Sequence, residues 1–148
     1  MAERLGDLLI RKGLLDQAKL EKALEEQTRS GLFLGEVLVK LGYVREEDVL
    51  GVLAEQFRTR FVSLEKVRIN PVVLKMVPKG LAWEYKFMPI EMLSSVLLIA
   101  VSNPLDMWPM SMLKEKLDLV EVQIVLATKS DIRRHIEKHY GPEFGATA

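Results

Sequence analysis

The apolar positions in the first third of the chain follow one pattern, and that pattern occurs twice. Aliphatic residues recur at spacings of three and four, the period of one face of a helix. The pattern occupies residues 4–27 and returns in residues 33–56, each position shifted by 29, with five residues between the copies. Seven positions are identical, among them two glycines and the final glutamine. Each copy is therefore expected to be one supersecondary unit.

Each copy predicts a helix, a glycine turn and a second helix. In the first copy, Leu5, Leu8, Leu9 and Lys12 share a helical face, which predicts a short helix over residues 5–12. Gly13 follows where a left-handed cap would end that helix. Asp16 is a suitable N-cap for the second helix, whereas its equivalent Arg45 is a poor one. Because one amphipathic hairpin cannot bury its apolar face alone, we predict that residues 1–58 form a four-helix unit.

After residue 58 the pattern changes to short apolar runs separated by turn residues. Strands are predicted at 61–64, 86–91, 96–101 and 120–127. Helices are predicted at 71–77, 79–85, 108–117 and 129–139, the last capped by Thr128. The fold class is therefore α+β, with tandem helical hairpins in 1–58 followed by a small α+β subdomain with a short sheet in 59–140. Residues 141–148 are predicted to be a flexible tail.

Composition excludes several classes of function. The chain has 21 basic and 21 acidic residues, so it lacks the basic excess that nucleic-acid binding needs. It has no cysteine, which excludes disulfides and thiolate chemistry. Its longest aliphatic run, 96–101, is too short to span a membrane, and the first residues lack the apolar core of a signal peptide. We therefore expect a soluble, cytoplasmic protein with no nucleic-acid partner and no direct membrane insertion.

The sequence predicts no enzyme site. It contains no G-x-x-x-x-G-K-[ST] loop, so the chain itself is not an ATPase. No Ser/His/Asp set has a plausible local signature. His135 and His139 have a spacing that metal binding allows, but no cysteine accompanies them, and two exposed helix histidines are the favoured interpretation. We predict no catalytic residue, no metal site and no cofactor.

The repeated surface suits a planar ligand with two like halves. Gly6 and Gly13 would let the backbone approach such a ligand. Gln27 offers a donor and an acceptor to a nucleobase edge, and Arg4 can stack on a base or pair with a phosphate. An apolar floor would come from leucines of the same copy: Leu9, Leu20 and Leu24. From the pattern alone, the alternative is a duplicated hairpin whose leucines pack, whose glycines cap helices and whose glutamines are merely exposed.

The tandem pattern Arg-Leu-Gly-x-x-Leu-x-x-x-Gly-x-x-x-x-x-x-Leu-x-x-x-Leu-x-x-Gln resembles the MshEN domain. That domain is found at the N-terminus of type II secretion and type IV pilus assembly ATPases. The resemblance covers nearly the whole chain, since 69–71, 77–78, 88–89 and 102–106 look like the α+β subdomain of the same family. It implies that each motif binds one half of cyclic di-GMP.

Carried over to this sequence, the resemblance implies a ligand-binding set in each copy. The first copy matches throughout, at Arg4, Leu5, Gly6, Leu9, Gly13, Leu20, Leu24 and Gln27. The second copy provides Phe33, Leu34, Gly35, Leu38, Gly42, Val49, Leu53 and Gln56. It departs from the pattern at Val49, a mild change, and at Phe33, which replaces the basic residue. Phe33 can stack on guanine but cannot pair with phosphate, a loss of about 1.5–3 kcal/mol.

Asp106 is a further candidate, because a carboxylate suits the N1–H and N2–H donors of guanine. The alternative is a capping or first-turn acid of the helix that follows it.

The resemblance thus implies a non-enzymatic regulatory domain that binds cyclic di-GMP and passes a change to an attached or partner secretion or pilus ATPase. The alternative is a docking adaptor that joins the ATPase to a platform protein without binding nucleotide. A third interpretation is a fragment that precedes a catalytic domain.

Overall fold

The computed structural model describes residues 4–106 and 108–143, with the backbone alone at Trp108. The chain forms two compact units, Met1–Arg58 and Thr59–Ala148. The first contains helices and the second combines helices with a sheet, so the predicted α+β class is confirmed.

The first unit consists of the two predicted hairpins. Its helices are α1 (Leu5–Arg11), α2 (Gln17–Ser30), α3 (Leu34–Lys40) and α4 (Glu46–Gln56). The short helices α1 and α3 both have seven residues and begin at equivalent positions of the two copies. The sequence repeat is therefore also a repeat of local structure.

The first helix of each copy ends at a left-handed glycine. Gly13 and Gly42 both have φ +76°, a conformation that residues with a Cβ avoid. The amide after each glycine donates to the carbonyl of the second motif leucine: Leu14 to Leu9 at 2.9 Å, and Tyr43 to Leu38 at 3.0 Å. This is a Schellman motif in both copies, as the glycine positions predict.

The second helix of each copy starts differently. The Asp16 carboxylate accepts from the Lys19 amide at 2.8 Å, which confirms the predicted cap. Arg45 has no oxygen in its side chain to offer, and Asp48 reaches back instead, accepting from the Arg45 amide at 3.2 Å and from its guanidinium at 3.2 and 3.3 Å. The guanidinium holds the pKa of Asp48 below its usual range.

The two hairpins pack across each other. Helix α1 packs against α4 and α2 packs against α3, while α1 also touches α3. If the two copies are exchanged, so that α1 takes the place of α3 and α2 that of α4, the α1–α4 contact becomes the α2–α3 contact. The four helices are thus related by an approximate twofold exchange, and neither hairpin buries its apolar face without the other.

The second unit begins with a 3₁₀ turn, Leu64–Lys66, followed by α5 (Pro71–Met76) and α6 (Lys79–Tyr85). Then come β1 (Met88–Leu93), β2 (Val96–Val101), α7 (Trp108–Lys116), β3 (Glu121–Leu126) and α8 (Lys129–Tyr140). The strands lie in the order β1-β2-β3, antiparallel between the first two and parallel between the last two. Helix α8 packs on β1 and β2, and α7 packs on β3.

Two strand predictions are corrected. The stretch 61–64 is not a strand. Phe61 makes one isolated bridge with Leu126. The pairing does not continue, because the Leu64 amide donates to the Asp131 carboxylate at 2.8 Å and draws the chain toward α8. The strand predicted at 86–91 begins later, because Lys86 adopts φ +54° and ends α6.

The predicted tail is anchored where it is described. The Trp83 indole donates to the Gly141 carbonyl at 3.1 Å, and Lys86 lies 3.6 Å from the Glu143 carboxylate. Residues 144–148 lie outside the described residues. Among the helices of 4–106 and 108–143, none combines the length and apolar character needed to cross a bilayer.

Candidate functional site

The motif residues fall into three groups by exposure, and all but Asp106 belong to the first unit. The buried group is Gly6, Leu9, Leu20, Gly35, Leu38, Val49 and Leu53. The partly exposed group is Leu5, Gln27, Leu34 and Gln56. The exposed group is Arg4, Gly13, Leu24, Phe33, Gly42 and Asp106.

The predicted apolar floor lies mostly inside the four-helix unit. Leu9 and Leu38 have no exposed surface, and Leu20, Val49 and Leu53 are between 5% and 6% exposed. In the short helices α1 and α3, packing against neighbouring helices buries Leu9 and Leu38 completely, while Leu5 and Leu34 stay partly exposed. The buried side chains therefore form core in this structure, in place of the accessible surface expected from the sequence.

The first glycine of each motif provides room between helices. A Cβ on Gly6 would lie 2.7 Å from Leu20 Cδ1, and one on Gly35 would lie 2.8 Å from Val49 Cγ1. Both distances are shorter than real carbon contacts. The glycine and the aliphatic residue fourteen positions later are thus partners within one copy. This explains the spacing, and in this structure the space beside the Gly6 Cα is taken by the Leu20 side chain.

The starts of the two motifs lie next to each other. A Cβ on Gly35 would also approach Leu5 Cδ2 at 3.4 Å, so the first leucine of copy one covers the glycine of copy two. Arg4 and Phe33, the residues that precede α1 and α3, have nearly the same backbone conformation, φ −75° ψ 155° and φ −65° ψ 146°. Both side chains are exposed. The two side chains therefore leave equivalent points of the two copies.

The second half of each motif is less symmetric. Leu24 is 42% exposed, whereas Leu53 at the equivalent position is 6% exposed. Gln27 lies within α2 and Gln56 is the last residue of α4, and both are half-buried. The final turns of the two copies thus offer one exposed leucine and two partly accessible glutamines.

The copies also differ in charge. The first has five basic and five acidic residues, and the second has two basic and five acidic ones. Lys12, the residue after α1, pairs with Glu55 of α4 at 2.7 Å and holds the pKa of Glu55 below its usual range. Of the two cations in the second copy, Arg45 is paired with Asp48 at 3.2 Å. The second copy is therefore the more acidic half of the site.

Asp106 lies in the other unit, in the loop between β2 and α7. Its side chain is exposed. Its amide donates to the Asn103 carbonyl at 3.2 Å, and the Asn103 side chain accepts from the Leu105 amide at 3.0 Å. Asn103 thus takes part in two hydrogen bonds that order the loop carrying Asp106.

The interpretation of His135 and His139 as two exposed histidines is wrong for His135, which is 2% exposed. Its Nδ1 lies 2.9 Å from the Asp131 carbonyl oxygen, and its Nε2 lies 3.4 Å from a Glu65 carboxylate oxygen. The signal was present in the sequence, because Ile132 and Ile136 flank His135 on one helical face. Within 4–106 and 108–143, no group of three or more His, Cys, Asp or Glu could hold a metal ion.

Comparison with a family profile identifies the second unit. The profile of the MshEN domain matches residues 57–146. The match lies over the α+β unit, whereas the sequence motifs lie in the helical unit that precedes it.

Comparison with curated proteins identifies type IV pilus assembly ATPases. The chain is 31% identical over 140 residues to the ATPase PilB of Myxococcus xanthus and 34% identical over 145 residues to that of Thermus thermophilus. These alignments cover 95% and 97% of this chain. The chain spans 25% and 16% of the length of those relatives.

Comparison with solved structures covers both units. A structure of MshE with cdg matches with a TM-score of 0.84 and 28% sequence identity. The match covers 93% of this chain and 99% of the other, which leaves out too few residues to omit either repeat.

Proposed function

This chain belongs to the MshEN domain family, and from that premise we propose that its helical repeat unit binds cyclic di-GMP. The observation that carries the proposal is the structural likeness to MshE with cdg, which covers 93% of the chain. We take cdg to denote cyclic di-GMP. The approximate twofold exchange of the repeats supports it, because the ligand consists of two like halves.

The exposed motif residues are the proposed contacts. Arg4 supplies a charge-assisted hydrogen bond to phosphate, and Leu24 and Phe33 supply apolar surface for guanine. Gln27 and Gln56, both half-buried, direct amides at the edges of the bases.

The buried motif residues act through the framework. Leu9 and Leu38 fill the core of the helical unit, and Gly6 and Gly35 allow the helices to approach. On this proposal they fix the positions of the exposed groups and do not touch the ligand unless the helices move apart.

The proposed biological role is regulation of an ATPase. The relatives named above are ATPases of type IV pilus assembly, and this chain matches a small part of each. The matched part lacks a G-x-x-x-x-G-K-[ST] loop, so ATP chemistry would belong to another domain. Ligand binding to the repeats would stiffen this domain, and this change would be transmitted to that ATPase.

The test is isothermal titration of the chain with cyclic di-GMP, beside GTP and cyclic di-AMP. We expect saturable one-to-one binding that is selective for cyclic di-GMP. Arg4→Ala should weaken it about tenfold to a hundredfold, and Gln27→Ala about twofold to tenfold. No heat and no thermal shift at high ligand concentration would refute the proposal.

A matched control separates contact from general damage to the helix. Gln17 lies at the start of the same helix as Gln27 and outside the motif positions. Gln17→Ala should leave the affinity unchanged. If it weakens binding as much as Gln27→Ala does, the amide of Gln27 has no specific role.

Asp106→Ala tests the remaining predicted contact in the same titration. A loss of affinity beyond about threefold would support a role for this carboxylate, and unchanged affinity would leave it as a loop residue.

The second candidate function is docking without nucleotide. Six apolar side chains of the helical unit are each between 37% and 43% exposed: Leu14, Leu24, Leu32, Phe33, Leu41 and Phe57. Such surfaces favour protein partners when they are contiguous. This function would be preferred if the titration shows no nucleotide binding and if Phe33→Ser together with Leu32→Ser abolishes association with the ATPase or platform protein.

A further inference from the structure

We propose that the two halves of the nucleotide site are unequal: the first copy holds a phosphate, and the second binds its half of the ligand by stacking on Phe33 without neutralising charge. This inference rests on the proposed function and concerns a residue that determines affinity. It predicts that one side chain limits the affinity of the natural protein.

The geometry puts Phe33 in the position of Arg4. The two residues precede equivalent helices with φ and ψ values that differ by 10° and 9°. Phe33 is 43% exposed, so its ring is available to a ligand. An arginine there would leave the backbone from the same point as Arg4 does in the first copy.

Neither cation of the second copy, Lys40 or Arg45, occupies a motif position. Lys40 is the last residue of α3, so it lies about 10 Å along the helix from Phe33. Arg45 is held by the Asp48 carboxylate with contacts of 3.2 and 3.3 Å. Arg29, in the spacer, pairs with Glu26 at 3.3 Å.

The balance of charged residues in the second copy adds to the difference between the two halves of the site. Its two basic and five acidic residues contrast with five of each in the first copy. A ligand that carries one negative charge in each half would thus meet a motif cation, Arg4, in the first copy and none in the second.

The first experiment adds the missing cation. Phe33→Arg should tighten cyclic di-GMP binding about tenfold or more, because the guanidinium keeps a planar stacking surface and adds a charge-assisted bond. Phe57→Arg is the matched control. Phe57 is 41% exposed in the same unit and lies outside the motifs, so the same added charge should change the affinity less than twofold.

The second experiment moves the cation from one copy to the other. Arg4→Phe alone should weaken binding about tenfold or more. Combined with Phe33→Arg, it should return the affinity to within about fivefold of the natural protein, since a symmetric ligand can bind in either orientation. Circular dichroism of each variant verifies that the helical unit is folded.

The outcomes separate this inference from the proposed function. If the natural protein binds but Phe33→Arg does not tighten binding, or Phe57→Arg tightens it equally, or the double variant shows no recovery, the inference is wrong and the proposed function stands. If only Phe33→Arg binds, the missing cation does limit binding, but stacking on Phe33 is not sufficient, so the inference is wrong on that point and the proposed function fails for the natural sequence. If neither binds, both are wrong.

Discussion

At Gly35 the distance between two helices is set by the absence of one methyl group. Its missing Cβ would lie 2.8 Å from Val49 Cγ1, and that of Gly6 would lie 2.7 Å from Leu20 Cδ1. The two clashes are not equivalent. A leucine Cδ can turn away about χ2, whereas a valine Cγ is bound directly to Cβ and is held by a stiff χ1. One motif position can therefore have different tolerance in its two copies.

We predict that Gly35→Ala destabilises the chain by about 1–2 kcal/mol. Gly6→Ala should be close to neutral, because the rotation of Leu20 is offset by the better helix propensity of alanine. Gly51→Ala, in α4 with no described atom within 4 Å of the added carbon, should stabilise by up to about 1 kcal/mol. Urea unfolding followed by circular dichroism measures all three, and a Gly35→Ala variant as stable as the Gly6→Ala variant would contradict the packing argument.

Tyr140 shows a second effect of one side chain. Its hydroxyl donates to the Val77 carbonyl at 2.8 Å, and burial raises the pKa of Tyr140 to about 12 from an ordinary value of 10.0. Because the folded state has the higher pKa, the stability gained by keeping this phenol protonated is complete below pH 10. It is lost as the pH rises toward 12.

We predict that Tyr140→Phe lowers stability at pH 8 by about 1 kcal/mol through the lost hydrogen bond. The natural protein should then lose more stability than the variant between pH 9 and pH 11.5, so that the difference narrows. Urea midpoints at both pH values measure this. A difference that stays constant or widens would show that the phenol does not titrate as the burial of Tyr140 implies.

Among the helices, the glycine that ends the first helix of each copy is required for its backbone conformation. Gly13 and Gly42 are left-handed, and an added Cβ would meet no described atom within 4 Å. The amides that follow satisfy the carbonyls of Leu9 and Leu38. The glycine thus lets a seven-residue helix end with its last carbonyls paired.

We predict that Gly42→Ala destabilises by about 1 kcal/mol, while Gly42→Asn costs roughly half as much, because asparagine tolerates the left-handed region. Since the space around Gly42 is open, the two variants should differ little in ligand affinity once folded. Thermal unfolding and cyclic di-GMP titration of both measure the two effects. An affinity that falls with the size of the side chain would instead place Gly42 against the ligand.

The helices of the first unit could be predicted from local signals: apolar residues at spacings of three and four, a glycine stop after α1 and α3, and an aspartate cap on α2. The burial of individual side chains within these helices could not be predicted. Leu24 and Leu53 occupy equivalent positions of a repeat, yet 42% of one and 6% of the other is exposed, a difference that the period of the sequence does not contain. The absence of the strand predicted at 61–64 could not be read from local sequence either, because it depends on a long-range hydrogen bond from Leu64 to Asp131.

For the whole molecule, the two units contribute different parts of the identification. The family profile lies over residues 57–146, whereas the tandem motifs lie in residues 4–56. The structural likeness to MshE with cdg covers both. The regulatory role is proposed from this arrangement, in which a helical repeat proposed to bind the ligand is followed by the α+β unit that matches the family profile.

The most direct test is hydrogen exchange of the intact chain with and without cyclic di-GMP, read peptide by peptide. If the repeats bind the ligand, its presence should slow exchange in both copies, residues 4–27 and 33–56, because binding stabilises them against local opening. GTP at the same concentration should have no such effect. Unchanged exchange at saturating ligand, or protection confined to residues 59–143, would contradict the proposal that the tandem repeats are the cyclic di-GMP site.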